Sequence, residues 1–393
     1  MTPRDSEPSL RTRAARTGHQ DGDGDVWPVV HPIVTSTALA GRDPDAIHRR
    51  IGRDEPTYHR AHFPNAVRLE EAVAELEGAE AGYATSSGMA AVTTVVLALL
   101  GQGDHLIVGT GGYSDSEELL TRELVRFGID GSVVPLDDLD AVRDAIRPRT
   151  RLIFAETIAN PSMMVPDLEQ LARIARGRDI RLVVDNTVPT PMLCRPLEHG
   201  ADLVIHSVTK FIGGHHDLSA GMVVGSRDLI DRLARVGYLL GAVPGAHDAA
   251  LALRGIHTLA PRMAWISESA DCIARYLAEQ PEVACVRYPG LATGVEGERV
   301  RRMLPNGCSG LMVIEFNGTA TQAPAAAFVR SLKLIPYVTS LGGEITTVCY
   351  PPRILADGDP ETARVGTRLR LSVGLEDPED LIADLKGAFE AMR

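Results

Sequence analysis

Between residues 68 and 240 two apolar periods take turns along the chain. Short apolar runs end in polar residues, and between them apolar side chains recur every three or four positions. The runs predict strands over 82–85, 105–108, 131–135, 151–155, 182–184, 203–206 and 221–224. The longer period predicts helices over 68–77, 90–100, 115–127, 137–146, 167–177 and 227–239. In the first of these, Leu69, Ala72, Val73 and Leu76 share one face. Strands alternating with helices imply an α/β fold with a mainly parallel sheet covered on both faces. Sites in such folds lie at the carboxyl ends of the strands. The residues that follow the predicted strands are therefore the ones to inspect.

The pattern is weak at the amino end. Residues 1–25 are polar and charged and offer little to bury, which predicts a mobile arm. Prolines interrupt the stretch that follows. From Arg254 a helical stretch runs to about Gln280, and strand and helix patterns then continue to the end. The expected division is an arm over 1–60, a large domain over 61–255 and a smaller α+β domain over 256–393. A hydrophobic share of 44% with 23% charged residues indicates a folded chain, and 393 residues suffice for more than one domain. The net charge of −12 argues against nucleic acid or an anionic membrane surface as partner. No apolar run approaches the ~18 residues of a membrane span, and the first residues lack the apolar core of a secretory signal. Five cysteines without a CxxC pair predict free thiols, no metal site and a cytoplasmic location.

Two strand ends carry the most distinctive chemistry. The run Leu182-Val183-Val184 delivers Asp185. The run Leu203-Val204-Ile205 leads through Ser207 and Thr209 to Lys210, with Gly213-Gly214 beyond. A strand-end acid and a lysine flanked by hydroxyls suit pyridoxal phosphate (PLP): the lysine forms the Schiff base and the carboxylate holds the pyridinium proton. Ser86-Ser87-Gly88-Met89 joins a strand to a helix, where a close backbone approach and free N–H groups favour a phosphate. Tyr113 is placed to stack on a ring and carry a proton, and Asn160 to bond a phenolic oxygen. Arg370 is suited to grip an α-carboxylate.

In order and spacing these segments resemble the Cys/Met-metabolism family of PLP enzymes, over residues of about 28 to 390. Tyr58-x-Arg60, Ser87-Gly88-Met89, Tyr113, Glu156, Asn160, Asp185-Asn186-Thr187, Ser207-x-Thr209-Lys210, Gly213-Gly214-His215, Asp217, Ser340-Leu341-Gly342-Gly343 and Arg370-Leu371-Ser372-Val373-Gly374-x-Glu376 carry the likeness. It implies the aspartate aminotransferase-like fold (fold type I), with a seven-stranded sheet and a smaller carboxyl-terminal domain. It implies that Lys210 carries PLP, that Asp185 pairs with the ring nitrogen and that Tyr113 stacks. Ser87, Gly88, Met89, Asn160, Thr187, Ser207 and Thr209 would complete the cofactor site. Tyr58 and Arg60 would reach the phosphate of a neighbouring subunit, within a dimer and usually a homotetramer. Ser340 and Arg370 would hold the amino-acid end of the substrate.

The chain also departs from the family. Phe63-Pro64-Asn65 stands for Asn-Pro-Thr, and Glu156-Thr157-Ile158 for Glu-Thr-Pro. Ser114 to Glu118 replaces the segment, often Gly-Gly-Thr, after the stacking tyrosine. Thr339 stands where members that handle cystathionine often carry glutamate, and Ile345 replaces another glutamate. The expected activity is γ-elimination or γ-replacement on an amino acid with a γ-substituent, such as methionine, S-adenosylmethionine or an activated homoserine. A cystathionine β- or γ-lyase is the alternative, and a non-catalytic binding protein a remote one. Thr339 and Glu117 are further candidates for substrate contact. Asp115, Glu117 and Glu118 are expected to make the distal pocket acidic, although acids also suit the first turn of a helix.

Overall fold

The computed structural model describes residues 8–18, 26–51, 55, 57–61, 63–318, 324–351 and 366–392. Seven strands form the main sheet: β1 (Ala81–Thr85), β2 (His105–Gly109), β3 (Asp130–Val134), β4 (Thr150–Glu156), β5 (Arg181–Asp185), β6 (Leu203–Ser207) and β7 (Gly221–Gly225). Their order is β1-β7-β6-β5-β4-β2-β3. The pairs among β2 to β6 are parallel, whereas β7 runs antiparallel to both β1 and β6. All seven predicted strands are present in one sheet. Alternate residues face opposite layers: Leu182, Val184 and Val204 point into one apolar cluster, and Val183, Leu203 and Ile205 into the other. Helices therefore cover both faces of the central strands, while the edge strand β3 stays partly exposed, with Val133 at 44%.

A second sheet follows, built from β8 (Val283–Arg287), β9 (Leu311–Phe316), β10 (Thr347–Cys349) and β11 (Arg368–Ser372), in the order β10-β11-β9-β8. Its pairs are antiparallel. Phe316, Phe328 and Phe389 stack beneath it with centroids 4.7 to 6.3 Å apart, which locks the last helix, Pro378–Met392, onto the sheet.

The structure departs from the sequence pattern in three places. The described part of the expected arm contains a helix, Leu10–Arg16, capped by Ser9 and burying Ala14 completely. Thr17 ties it down, donating to Glu75 at 2.7 Å while its carbonyl contacts His257 at 3.0 Å. Residues 1–7 and 19–25 of that arm lie outside the described residues. The expected helix over 115–127 is three pieces: α-helical Ser114–Glu118, a wider π turn Leu119–Glu123 and a tighter 3-10 turn Leu124–Phe127. The Thr121 hydroxyl donates to the Glu117 carbonyl at 2.7 Å, competing with the backbone ladder where the helix widens. Finally, the stretch read from Arg254 onward is two helices, Ala246–His257 and Leu259–Ala278. The Arg262 guanidinium bonds the carbonyls of Gly255, Phe211 and Ile212, which fastens the break to the loop after Lys210.

Candidate active site

The carboxyl ends of β4, β5 and β6 open into one cavity of about 420 Å³. Ser87, Gly88, Met89, Tyr113, Asn160, Asp185, Thr187, Ser207, Thr209, Lys210, Thr339 and Arg370, all singled out from the sequence, line it. Ser340 lies at its edge, 3.0 Å from Lys210 Nζ.

The helix Gly88–Leu99 starts at the cavity wall. Ser87 caps it, its hydroxyl accepting from Ala90 N–H at 3.1 Å. The first-turn N–H groups have no partner within the helix and carry its positive end. A Cβ on Gly88 would come within 2.8 Å of Ser207 Cβ, so only glycine lets this turn pack against β6. The Ser207, Thr209 and Ser219 side chains face the same corner. Thr209 Oγ1 is also anchored to Ala220, 3.1 Å from both its carbonyl and its N–H.

Asp185 ends β5 opposite Glu156 on β4. Thr187 N–H donates to Asp185 at 2.9 Å, and the Thr187 hydroxyl also bonds it. Burial pushes the Asp185 carboxyl up from its ordinary range, and the Thr187 bonds offset part of that. Among the described residues no cation pairs with it. A protonated ring nitrogen is the partner such an acid calls for.

Glu156 accepts from Tyr113 N–H at 2.6 Å and from Asn160 N–H at 2.8 Å. It braces the two loops that carry those side chains. Burial and then the neighbouring Asp185 push its carboxyl up to about 8.

Lys210 Nζ donates to Ser340 Oγ at 3.0 Å. Burial, and next the positive charge of Arg370, depress its ammonium below the ordinary range. The buried Arg370 donates to the Ser340 carbonyl at 3.0 Å and to Asn160 Oδ1 at 3.3 Å. Its Nε has no partner among the described residues, leaving a donor for an incoming carboxylate.

The acidic segment after Tyr113 is divided. Asp115 lines the cavity and accepts from the Tyr113 hydroxyl at 2.7 Å. Glu117, two residues on and so on the opposite side of the helix, faces a separate small void beside Glu156 and Phe154. Glu118 is exposed. The expectation that all three acids make the distal pocket acidic therefore narrows to Asp115. Tyr58 and Arg60 do not line this cavity. Arg60 lies over the Tyr238 ring at 4.0 Å and donates to the Tyr238 carbonyl at 2.9 Å.

Two features were not read from the sequence. The Ser219 hydroxyl had no signal beyond its place in a loop. The fully buried pair behind the sheet, His206 Nε2 to Glu77 Oε1 at 2.7 Å with Asn186 also donating to Glu77 at 2.9 Å, joins residues distant in the chain. His206 and Asn186 each adjoin a cavity residue, so this network holds two strand ends from behind.

A half-buried lysine, a buried strand-end acid, a helix start built on glycine and an arginine with a spare donor meet in one cavity. The chain belongs to the Cys/Met metabolism PLP-dependent enzyme family, which matches residues 11–390. It is 37% identical to the L-methionine gamma-lyase of Pseudomonas putida, over 98% of each chain. It is likewise 37% identical to the cystathionine gamma-lyase of Bacillus subtilis, over 85% of this chain and 88% of that one. Among solved structures it resembles metB from Corynebacterium glutamicum, with a TM-score of 0.91, 33% identity and coverage of 98% of this chain and 99% of that chain. Among the described residues no helix is long and apolar enough to cross a membrane.

Proposed function

We propose that this enzyme acts at the γ-carbon of an amino acid, eliminating or replacing a γ-substituent, with Lys210, Asp185 and Tyr113 as its catalytic residues. The observation that carries the amino-acid part of this reading is the position of Ser340. Its hydroxyl accepts from Lys210, and its carbonyl accepts from Arg370. The amine and the guanidinium thus flank one residue, a spacing suited to the α-amino and α-carboxylate groups of a single substrate. Arg370 would seat the carboxylate and leave the side chain pointing toward Tyr113, Asp115 and Thr339.

The phosphate would sit at the start of helix Gly88–Leu99, among Ser87, Gly88, Met89, Ser207 and Thr209. Asp185 would face the ring nitrogen, and Tyr113 the ring. Bound there, PLP supplies the electron sink for a substrate carbanion. The chain supplies the proton handling. The lowered ammonium of Lys210 makes its amine available to take the Cα proton and, once it has given that proton up, to take the Cβ proton. The relatives named for methionine and cystathionine γ-lysis support work at Cγ.

Tyr58 and Arg60 point to a second copy of the chain. They sit outside their own cavity, Tyr58 exposed and Arg60 held against Tyr238. We read them as part of a homodimer in which they serve the neighbour's phosphate, in a cytoplasmic enzyme.

A panel of methionine, cystathionine, O-acylhomoserines and sulfonium amino acids, with and without added thiol, tests the reading by mass spectrometry. 2-Oxobutyrate, or a new amino acid built on the four-carbon skeleton, is the expected product. Pyruvate as the main product would shift the assignment to β-elimination.

A further inference from the structure

We propose that Asp115 selects a substrate whose γ-substituent carries a positive charge, a sulfonium above all, working as the partner of Tyr113. The proposal rests on the γ-carbon reading and goes beyond it by assigning the charge of the leaving group.

The charges on the cavity wall supply the first argument. Besides Tyr113, its titratable side chains are Asp115, Glu156, Asp185, Lys210 and Arg370. In the loaded enzyme Lys210 and Asp185 answer to the cofactor, and Arg370 to the α-carboxylate. Glu156, pushed up to about 8, keeps its proton at neutral pH and is already bonded to two backbone N–H groups. Asp115 is left facing the distal pocket with no ion-pair partner among the described residues. Among the described wall residues no uncommitted cation remains to receive an anionic γ-group, and Thr339 adds no charge. An anionic substituent would meet only Asp115, and a cationic one would find its counter-charge there.

The direction of one hydrogen bond supplies the second. The Tyr113 hydroxyl donates to Asp115 Oδ2 at 2.7 Å. A carboxylate cannot donate back, so the phenolic proton points at Asp115 rather than at the substrate. Burial first and Asp115 next push this phenol up to about 12, so it holds that proton firmly. A thiolate or alkoxide leaving group needs a proton from a nearby acid, and Tyr113 is poorly set to give one. A sulfonium needs none. Its Cγ–S bond breaks with the electron pair staying on sulfur, and a neutral thioether departs. The pair from the Cβ–H bond becomes the Cβ–Cγ double bond, and the proton goes to the Lys210 amine. No further reactant is required.

The test compares the holoenzyme with its Asp115→Asn variant. S-Methylmethionine and methionine differ by one methyl and one charge at the same sulfur. The variant is expected to lose about tenfold or more in kcat/KM for S-methylmethionine relative to methionine, whose leaving thiolate gains from the Tyr113 proton that Asp115 no longer holds. Because a sulfonium leaves more readily by nature, the change on mutation is the measure, not the wild-type ratio. Binding gives a readout independent of turnover. 2,4-Diaminobutyrate, whose γ-ammonium does not leave, should bind the wild-type holoenzyme about tenfold more tightly than norvaline by calorimetry, and Asp115→Asn should erase that difference. An unchanged ratio in the variant, or a wild-type preference for O-succinylhomoserine, overturns the assignment. In either case conversion of methionine or an acylhomoserine leaves the γ-carbon reading standing. A holoenzyme that converts none of these amino acids and binds neither 2,4-diaminobutyrate nor norvaline overturns both.

Discussion

Glu156 gives the site a pH dependence that shows in stability as well as in catalysis. Its carboxyl stands at about 8 in the fold against an ordinary 4.5. A raised value means that the folded chain binds the proton more tightly than the unfolded chain. The stabilisation is complete below the ordinary value and drains away as pH rises through the folded one. Thermal unfolding of the cofactor-free protein should therefore show a midpoint that falls between pH 4.5 and about 8. Glu156→Gln should flatten this slope. The variant starts from lower stability, because the amide nitrogen accepts no hydrogen bond and leaves either the Tyr113 or the Asn160 N–H group without its partner, a loss of roughly 1–3 kcal/mol. The slope, not the absolute midpoint, is thus the diagnostic, and an unaltered slope would assign the titration to another group. Asp185 titrates in the same direction until a cationic ring nitrogen stands beside it, so adding PLP should reduce the slope in the wild type as well.

At the level of elements, packing shapes the turn between β1 and helix Gly88–Leu99, the proposed phosphate site. Gly88→Ala would place a methyl 2.8 Å from Ser207 Cβ and 3.0 Å from Ser207 Oγ. The turn would shift, the helix start would move away from the hydroxyls, and affinity for PLP should drop by about tenfold or more with the fold retained. Equilibrium dialysis against PLP, with circular dichroism as the folding control, measures this; affinity within twofold of wild type would count against the cradle. This turn stood out in the sequence only beside the Ser207 and Thr209 hydroxyls, because a small-residue run between a strand and a helix is most often just a turn. The strands were legible from their own pattern. Those that frame the site, β4, β5 and β6, are apolar runs closed by a polar residue, and Glu156, Asp185, Ser207 and Lys210 stand at or just beyond such ends. What escaped depends on contacts between distant residues. Helix Leu10–Arg16 is too short and polar to hold its shape alone and is kept by Glu75 and His257. The π turn at Leu119–Glu123 changes the backbone ladder without changing the apolar period, so the pattern does not record it. The Glu77–His206 pair spans two elements, and nothing local marks either residue as half of a pair. The three acids after Tyr113 form one cluster in the sequence and face three directions in space, because a helix turns about 100° per residue.

The whole molecule carries a surface that one chain leaves uncovered. Val26, Val29, Val30 and Leu239 are 70 to 92% exposed, and Trp27, Tyr58, Tyr238 and Leu240 are more than a third exposed. The helix Pro44–Ile51 between the two apolar stretches buries no residue of its own. Among the bonds of this segment is Val34 N–H to Asn65 at 2.8 Å. Its exposed apolar side chains would gain by packing against a second copy. If that copy also receives Tyr58 and Arg60 at its phosphate, each active site draws on two chains. Two damaged chains can then repair each other. Arg60→Ala removes the guanidinium offered to the neighbour and leaves Lys210 intact, while Lys210→Ala does the reverse. Each variant alone should be nearly inactive. In a mixed dimer, one site carries both lesions and the other carries none. Random reassortment makes about half of the dimers mixed, so the mixture should recover up to about a quarter of wild-type activity. Co-refolding the two variants at equal amounts, with light scattering to confirm association, measures this directly. No recovery from a mixture shown to contain the hybrid would mean that Arg60 acts only within its own chain, against Tyr238.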